Sequence, residues 1–195
     1  MVALRKPLPW PMTVAEFLDW DPGDSSGALW QLRDGVPEMM APATDAHGSI
    51  QGELHALLRN RLLEKGSPCR SVIAPGVVPR VRSDRNALIP DIGVTCTPPQ
   101  GGRTLPDPVA LIEILSPSNH VETWTNVWAY TTIPSVSEIV IVHSTRIAAE
   151  VVRRNADGSW PEQPAMIEAD GVLALQSVGV SLPLREAYRT SGVSS

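Results

Sequence analysis

The sequence predicts an α/β (α+β) fold: a mixed β-sheet core flanked by helices, with an N-terminal β-hairpin extension. Three observations carry that expectation. Strand-like apolar runs and helix-period segments alternate along the chain. The run Val109 to Leu115 is almost continuously apolar, as a central strand covered on both faces must be. A D-G corner at Asp34-Gly35 lies between two short β-prone runs, the signature of a hairpin. With 195 residues, 43% apolar and 19% charged, the chain has the size and composition of one domain with a real core. The expected organisation is a single domain, 1–195, with a Pro-rich arm over 1–11, a helix and hairpin over 12–43, and a core over 44–188.

Each element has a local reason. Thr13-Val14-Ala15-Glu16 fits a capping box and starts a short helix reaching about Trp20. Asp21 to Gly27 reads as a loop. Ala28 to Leu32 and Val36 to Met40 are the hairpin strands around Arg33-Asp34-Gly35. Thr44 or Asp45 caps a long helix from about Ala46 to Glu64, with Ile50, Leu54, Leu57, Leu58, Arg61 and Leu62 on a helical period; Gly66-Ser67-Pro68 stops it. Strands follow at Ser71 to Val81, interrupted by Pro75-Gly76, and at Ala87 to Thr95. After a Pro/Gly loop, Thr97 to Pro108, comes the central strand, then the turn Ser116 to Asn119 and a helix from about Val121 to Thr132. Ile139 to His143 and Ile147 to Val152 are strands, and a β segment lies near Ala165 to Ile167. Gly171 to Tyr188 reads as short strands and a closing helical turn.

Charge and cysteine usage narrow the function. The formal net charge is −5, which argues against a strong nonspecific nucleic-acid binder. It leaves a nuclease open, because metal-binding carboxylates count as negative until a cation occupies them. No apolar run is long enough to span a membrane and no secretory signal is evident, so a cytoplasmic location is expected. Cys69 and Cys96 lack C-x-x-C spacing and read as small buried hydrophobes rather than a disulfide or zinc site.

Two acids stand out. Asp91 opens the apolar run Ile92-Gly93-Val94, and Glu113 sits within Leu111-Ile112-Glu113-Ile114-Leu115. Charged side chains are almost never buried without a partner, so both need a reason. The bland reasons are a turn cap for Asp91 and an arginine partner for Glu113. The sharper one is that adjacent strands bring both to a shared divalent cation. Two carboxylates plus the carbonyl of Ile114 form a hard oxygen set suited to Mg²⁺ or Mn²⁺. Such an ion lowers the pKa of a bound water and stabilises charge on a phosphate, pointing to phosphodiester cleavage.

Several stretches together resemble the Uma-type family of endonucleases, within the restriction-endonuclease-like, PD-(D/E)XK superfamily. They are Trp30 to Gly35, His47 at the long helix start, Pro90-Asp91-Ile92, Ile112 to Asn119, and Ala129 to Val142. The resemblance spans about Thr13 to Tyr188. It implies a nuclease-like core, DNA as the partner, Mg²⁺ or Mn²⁺ at Asp91, Glu113 and Ile114, and active-site places for His47, Glu122, Asn126 and Tyr130. The last three are spaced by four and share a helix face. The superfamily's lysine is absent: Leu115 stands at its usual place, and Asn126 stands where Uma-type sequences put it on the helix. An amide hydrogen-bonds but carries no charge. Neither Lys6 nor Lys65 is placed to substitute, and Arg80, Arg82, Arg85 and Arg103 are unranked candidates. The alternative is therefore a catalytically impaired nuclease-fold module for nucleic-acid or protein binding; a hydrolase of another phosphate substrate is a third reading. A homodimer would suit double-strand cleavage.

Other conspicuous residues carry bland readings. His55 and His120 read as ordinary helix or loop histidines. Trp124, Val127 and Trp128 read as core or dimer packing, and Arg153-Arg154 as a solvated strand end.

Overall fold

The structure is a computed structural model that describes residues 11–23, 25, 27–117 and 119–194. The Pro-rich arm lies outside these residues except for Pro11, as do Asp24 and Ser26 of the first loop and Ser118 of the turn after the central strand.

Thr13 caps α1 (Val14–Asp19): its Oγ1 accepts from the Glu16 amide at 3.2 Å, and Glu16 accepts from the Thr13 amide at 2.7 Å. β1 (Trp30–Arg33) and β2 (Val36–Met39) pair antiparallel around Asp34 and Gly35. Both corner residues are left-handed, φ 49° and 81°, as a tight two-residue hairpin turn requires. A side chain on Gly35 would also meet Pro11 and the Met12 backbone. The hairpin is fixed to the rest of the chain by main-chain bonds. Leu32 exchanges both backbone bonds with Ala87, and the Gly35 amide donates to the Arg85 carbonyl.

The core is a six-stranded sheet in the order β3-β4-β5-β6-β7-β8. Its strands are β3 (Arg70–Ile73), β4 (Ile92–Thr95), β5 (Pro108–Leu115), β6 (Glu138–His143), β7 (Ala148–Arg153) and β8 (Ala165–Glu168). Only β5 and β6 are parallel, joined by the crossover through α3 (His120–Tyr130). α2 (Asp45–Glu64) buries Ile50, Leu54, Leu58 and Leu62 against one face of the sheet, against Ile112, Ile114, Val140 and Val142 among others. α3 covers the opposite face, with Val127 and Tyr130 against Leu111, Leu115, Ile139 and Ile141. Period-two alternation along β5 thus sends Ile112 and Ile114 towards α2, and Glu113 towards α3. A separate hairpin, β9 (Val172–Leu175) and β10 (Val180–Pro183), and a 3₁₀ turn, Leu184–Tyr188, complete the core beside α2.

Three expectations need correction. The strands foreseen over 71–81 and 87–95 are shorter. The first ends at Ile73, where Ala74 turns left-handed at φ 46°, and residues 77 and 88 join only by an isolated bridge. Cys69 and Cys96 are bonded to each other rather than free thiols. The reason is register: Arg70 faces Thr95 across β3 and β4, so the residue before one and the residue after the other are neighbours. Trp128, expected in core or dimer packing, is 51% exposed and so lies outside the core, whereas Val127 is fully buried and Trp124 is half-buried against the α3-side core. Among the described residues, no helix is long and apolar enough to cross a membrane.

Candidate functional site

Two acids are buried in central strands, and their surroundings differ. Glu138 at the start of β6 accepts from Arg153 Nε at 3.2 Å and from the Ser177 and Gln176 amides at 2.8 and 3.2 Å. It also accepts from the Ser177 hydroxyl. A guanidinium and two amides compensate its burial, and it clamps the β9–β10 hairpin to the sheet. Glu113 is 6% exposed and, among the described residues, has no cationic partner. Its Oε1 accepts from the Tyr130 hydroxyl at 2.7 Å and, weakly, from Asn126 Nδ2 at 3.4 Å. The bland explanation of this acid, an arginine partner, therefore fits Glu138 and not Glu113.

Asp91 immediately precedes β4. Ile92 faces Ile112 in the β4–β5 register, which sets Asp91 opposite Glu113. Like charges placed directly across an antiparallel pair repel. Glu113 records it: burial first, then the charge of Asp91, push its carboxyl well above the usual glutamate range. The bonds from Tyr130 and Asn126 oppose that rise, and the more distant Glu122 adds to it. Tyr130 is held well above its usual range by burial and by Glu113, so it stays a hydroxyl donor.

The α2 N-terminus holds Asp91. Its Oδ2 accepts from the Ile114 amide at 2.6 Å, and His47 Nε2 donates to its Oδ1 at 2.8 Å. One helical turn on, Gln51 Nε2 donates to the Asp91 carbonyl at 2.8 Å. Each carboxylate oxygen has a second lone pair, so these bonds orient Asp91 without exhausting it.

Glu122 lies one turn before Asn126 on α3, but its carboxylate turns towards the N-terminal hairpin. It accepts from Gln31 Nε2 at 2.9 Å and Arg33 Nη2 at 3.0 Å, while Arg33 Nε donates to Glu38 at 3.1 Å. The structure thus brings Asp91, Glu113, Ile114, Asn126, Tyr130, His47 and Glu122 into one cluster. Gln51, expected one turn on from His47 and on its face, joins it, and the structure adds Gln31, Arg33 and Glu38. The hairpin residues escaped the sequence analysis, although one signal existed: in Trp30-Gln31-Leu32-Arg33, polar residues alternate with apolar ones, so Gln31 and Arg33 share a face.

The arginines proposed from sequence lie elsewhere. Arg82 pairs with Asp34 at 2.5 Å and Arg85 with Asp84 at 3.5 Å. Arg80 and Arg103 line two other clefts, neither bordered by Asp91, Glu113 or Glu122. His120 is exposed, and His55 has a buried, unpartnered Nδ1 and a pKa lowered by burial and by Arg59.

Among the described residues, no group of three or more His, Cys, Asp or Glu forms a metal cage. A hard divalent ion does not need one, because carbonyl oxygens and waters complete its shell. Two buried oxygens here, Gln31 Oε1 and Asn126 Oδ1, have no hydrogen-bond partner. Opposed carboxylates and orphaned amide oxygens suit a cation or its bound waters.

Comparison with known proteins agrees with this architecture. A crystal structure of a "putative nuclease belonging to DUF820" from Anabaena variabilis ATCC 29413 superposes with a TM-score of 0.70 at 17% identity, covering 92% of this chain and 98% of that one. This likeness shows a shared restriction-endonuclease-like fold. "Uncharacterized protein slr1290" of Synechocystis is 25% identical over 193 residues, 97% of this chain and 98% of the relative. Residues 14–185 match the Uma2 family, described as "Putative restriction endonuclease", and the chain belongs to that family.

Proposed function

We propose that this protein is a metal-dependent nuclease that hydrolyses DNA phosphodiester bonds. The observation that carries the reading is Glu113: a buried acid facing a second carboxylate, with no cationic partner among the described residues. In this reading Asp91, Glu113 and the Ile114 carbonyl hold Mg²⁺ or Mn²⁺. The bound ion supplies Lewis acidity towards a phosphate oxygen and a more acidic water.

The remaining work falls to the chain's own groups. His47 and the Ile114 amide fix the Asp91 carboxylate, and Tyr130 and Asn126 fix that of Glu113. Asn126 Oδ1 and Gln31 Oε1 are acceptors able to orient a water that approaches the phosphate. Burial of Tyr130 and Glu113 keeps bulk water from the inner side of the site. Cleavage of both strands of a duplex requires two such sites, so a symmetric pair of chains belongs to this reading.

The test is nicking of plasmid and of single-stranded DNA with Mg²⁺ or Mn²⁺, alongside Asp91→Asn and Glu113→Gln. Metal-dependent cutting lost in both variants supports the proposal; equal activity in all three proteins rejects it. The second reading, a nuclease-fold binding module without turnover, is favoured by one observation: Glu122, Asn126 and Tyr130 of α3 bring no positive charge to the cluster. It requires DNA or protein binding without cleavage, unchanged by Asp91→Asn.

A further inference from the structure

Hydrolysis of a phosphodiester builds negative charge on the phosphate, and a fixed cation beside it lowers the barrier. α3 supplies a carboxylate, an amide and a phenol to the site, none of them positive. A cationic side chain must come from another element. Resting on the nuclease proposal above, we infer that Arg33 of the N-terminal hairpin is that group: it receives the scissile phosphate and stabilises the charge that develops there.

The placement is built in three ways. Arg33 lies on β1, whose neighbour Leu32 is locked to Ala87 by two backbone bonds, so the hairpin is held against the core. Glu38, across the hairpin, holds Nε at 3.1 Å. Nη2 reaches Glu122 on α3 at 3.0 Å, which carries the guanidinium to the helix that covers Glu113. Beside Arg33, Gln31 is 2% exposed and has an unpartnered Oε1. Nη1 makes no bond to any described residue, and the side chain is 22% exposed. The planar guanidinium presents several donors in a fixed fork. Two of them are tethered to carboxylates, and a third is free for a phosphate oxygen.

The test compares wild type with Arg33→Met, Arg33→Gln and Arg33→Lys. Met keeps part of the apolar stem; Gln keeps an amide donor for Glu122 and preserves the hairpin if Met does not. Two readouts are needed. Cleavage of a fluorescein-labelled duplex with Mn²⁺ gives kcat and KM. Binding of the same duplex with Ca²⁺ in place of Mn²⁺, a hard cation that takes the same oxygen ligands, is read by anisotropy across a salt series before any cutting and counts phosphate contacts. Both neutral variants are expected to lower kcat about 100-fold, the scale of losing one charge-stabilising donor. Their log K against log salt slope should be shallower by about 0.9, the loss of one phosphate contact. Arg33→Lys should keep the salt slope and recover part of kcat.

Unchanged kcat and slope in a folded neutral variant overturn the role of Arg33 while leaving the nuclease proposal standing. Equal losses in all three variants, matched by equal drops in melting temperature, reduce Arg33 to a structural tie and overturn it too. A wild type that cuts nothing defeats the nuclease proposal; the salt slope then still decides whether Arg33 touches phosphate.

Discussion

Glu113→Gln should make the metal-free protein more stable, by an amount that grows with pH. In the unfolded chain Glu113 loses its proton near the usual glutamate value, about 4.3. In the folded protein, burial and then Asp91 hold the proton on to well above that pH. Between the two values the native state binds one more proton than the unfolded state. Wild-type stability therefore falls as pH rises, by about 1.4 kcal/mol per pH unit. The glutamine does not titrate, and its oxygen still accepts from Tyr130. The variant's advantage is thus absent below about pH 4, grows with that slope, and levels off once the native Glu113 ionises. For a chain of 195 residues it corresponds to about 3–6 °C of melting temperature per pH unit. Paired calorimetric scans in EDTA from pH 4 to 8 measure it, because groups shared by both proteins cancel. A difference that is the same at every pH, or a variant less stable throughout, would refute the reasoning. In Asp91→Asn the second cause is removed, so the wild-type pH dependence should level off at a lower pH.

Three further outcomes follow from the same geometry. Mn²⁺ at about 100 times its Kd should stabilise wild type by about 2.7 kcal/mol, about 5–11 °C, and leave Asp91→Asn unshifted in thermal melts. Tyr130→Phe removes the 2.7 Å bond to Glu113 and should cost about 1–3 kcal/mol. Because that bond lowers the Glu113 pKa, the pH-dependent loss of stability should also extend to higher pH, as titration of the melting temperature would show. Replacing both Cys69 and Cys96 by Ser opens a loop of 27-residue separation and should cost about 3.5 kcal/mol in urea unfolding. An unchanged midpoint would contradict the bond.

The parts of the fold visible in the sequence are those with a local cause. The capping box at Thr13, the D-G corner, the Ile50-Leu54-Leu58-Leu62 stripe and the apolar run ending at Leu115 each formed as read. What was hidden depends on register between distant segments. Cys69 and Cys96 read as isolated thiols because nothing local says that β3 and β4 pair with their ends aligned. The site divides in the same way. Asp91 and Glu113 announced themselves as acids in apolar runs. Glu122, Asn126 and Tyr130 came from helical spacing together with family resemblance. Arg33 shares a face with Gln31 inside the family-like stretch Trp30 to Gly35, yet neither it nor Glu38 could be assigned to the site, because a charged residue in a short exposed hairpin is ordinary until the hairpin is docked on Ala87. The arginines that looked promising, Arg82 and Arg85, are paired with the neighbouring Asp34 and Asp84.

The charge inventory of the cluster sets an order of events. Arg33 is bonded to Glu38 and Glu122, and Asp91 and Glu113 add two further acids to the cluster. Without a metal this is an acidic surface on a chain whose formal net charge is −5, and a polyanion approaching it is repelled. In the nuclease reading, a divalent ion held by Asp91 and Glu113 would remove the repulsion between those two side chains and reverse the local sign that a phosphate meets. Cation binding should therefore precede DNA binding, and each should strengthen the other by the same factor. That reciprocity separates the two functional readings. In the nuclease reading, DNA affinity rises with Mn²⁺, and Asp91→Asn abolishes the rise. In the binding-module reading, affinity is indifferent to both the ion and the substitution.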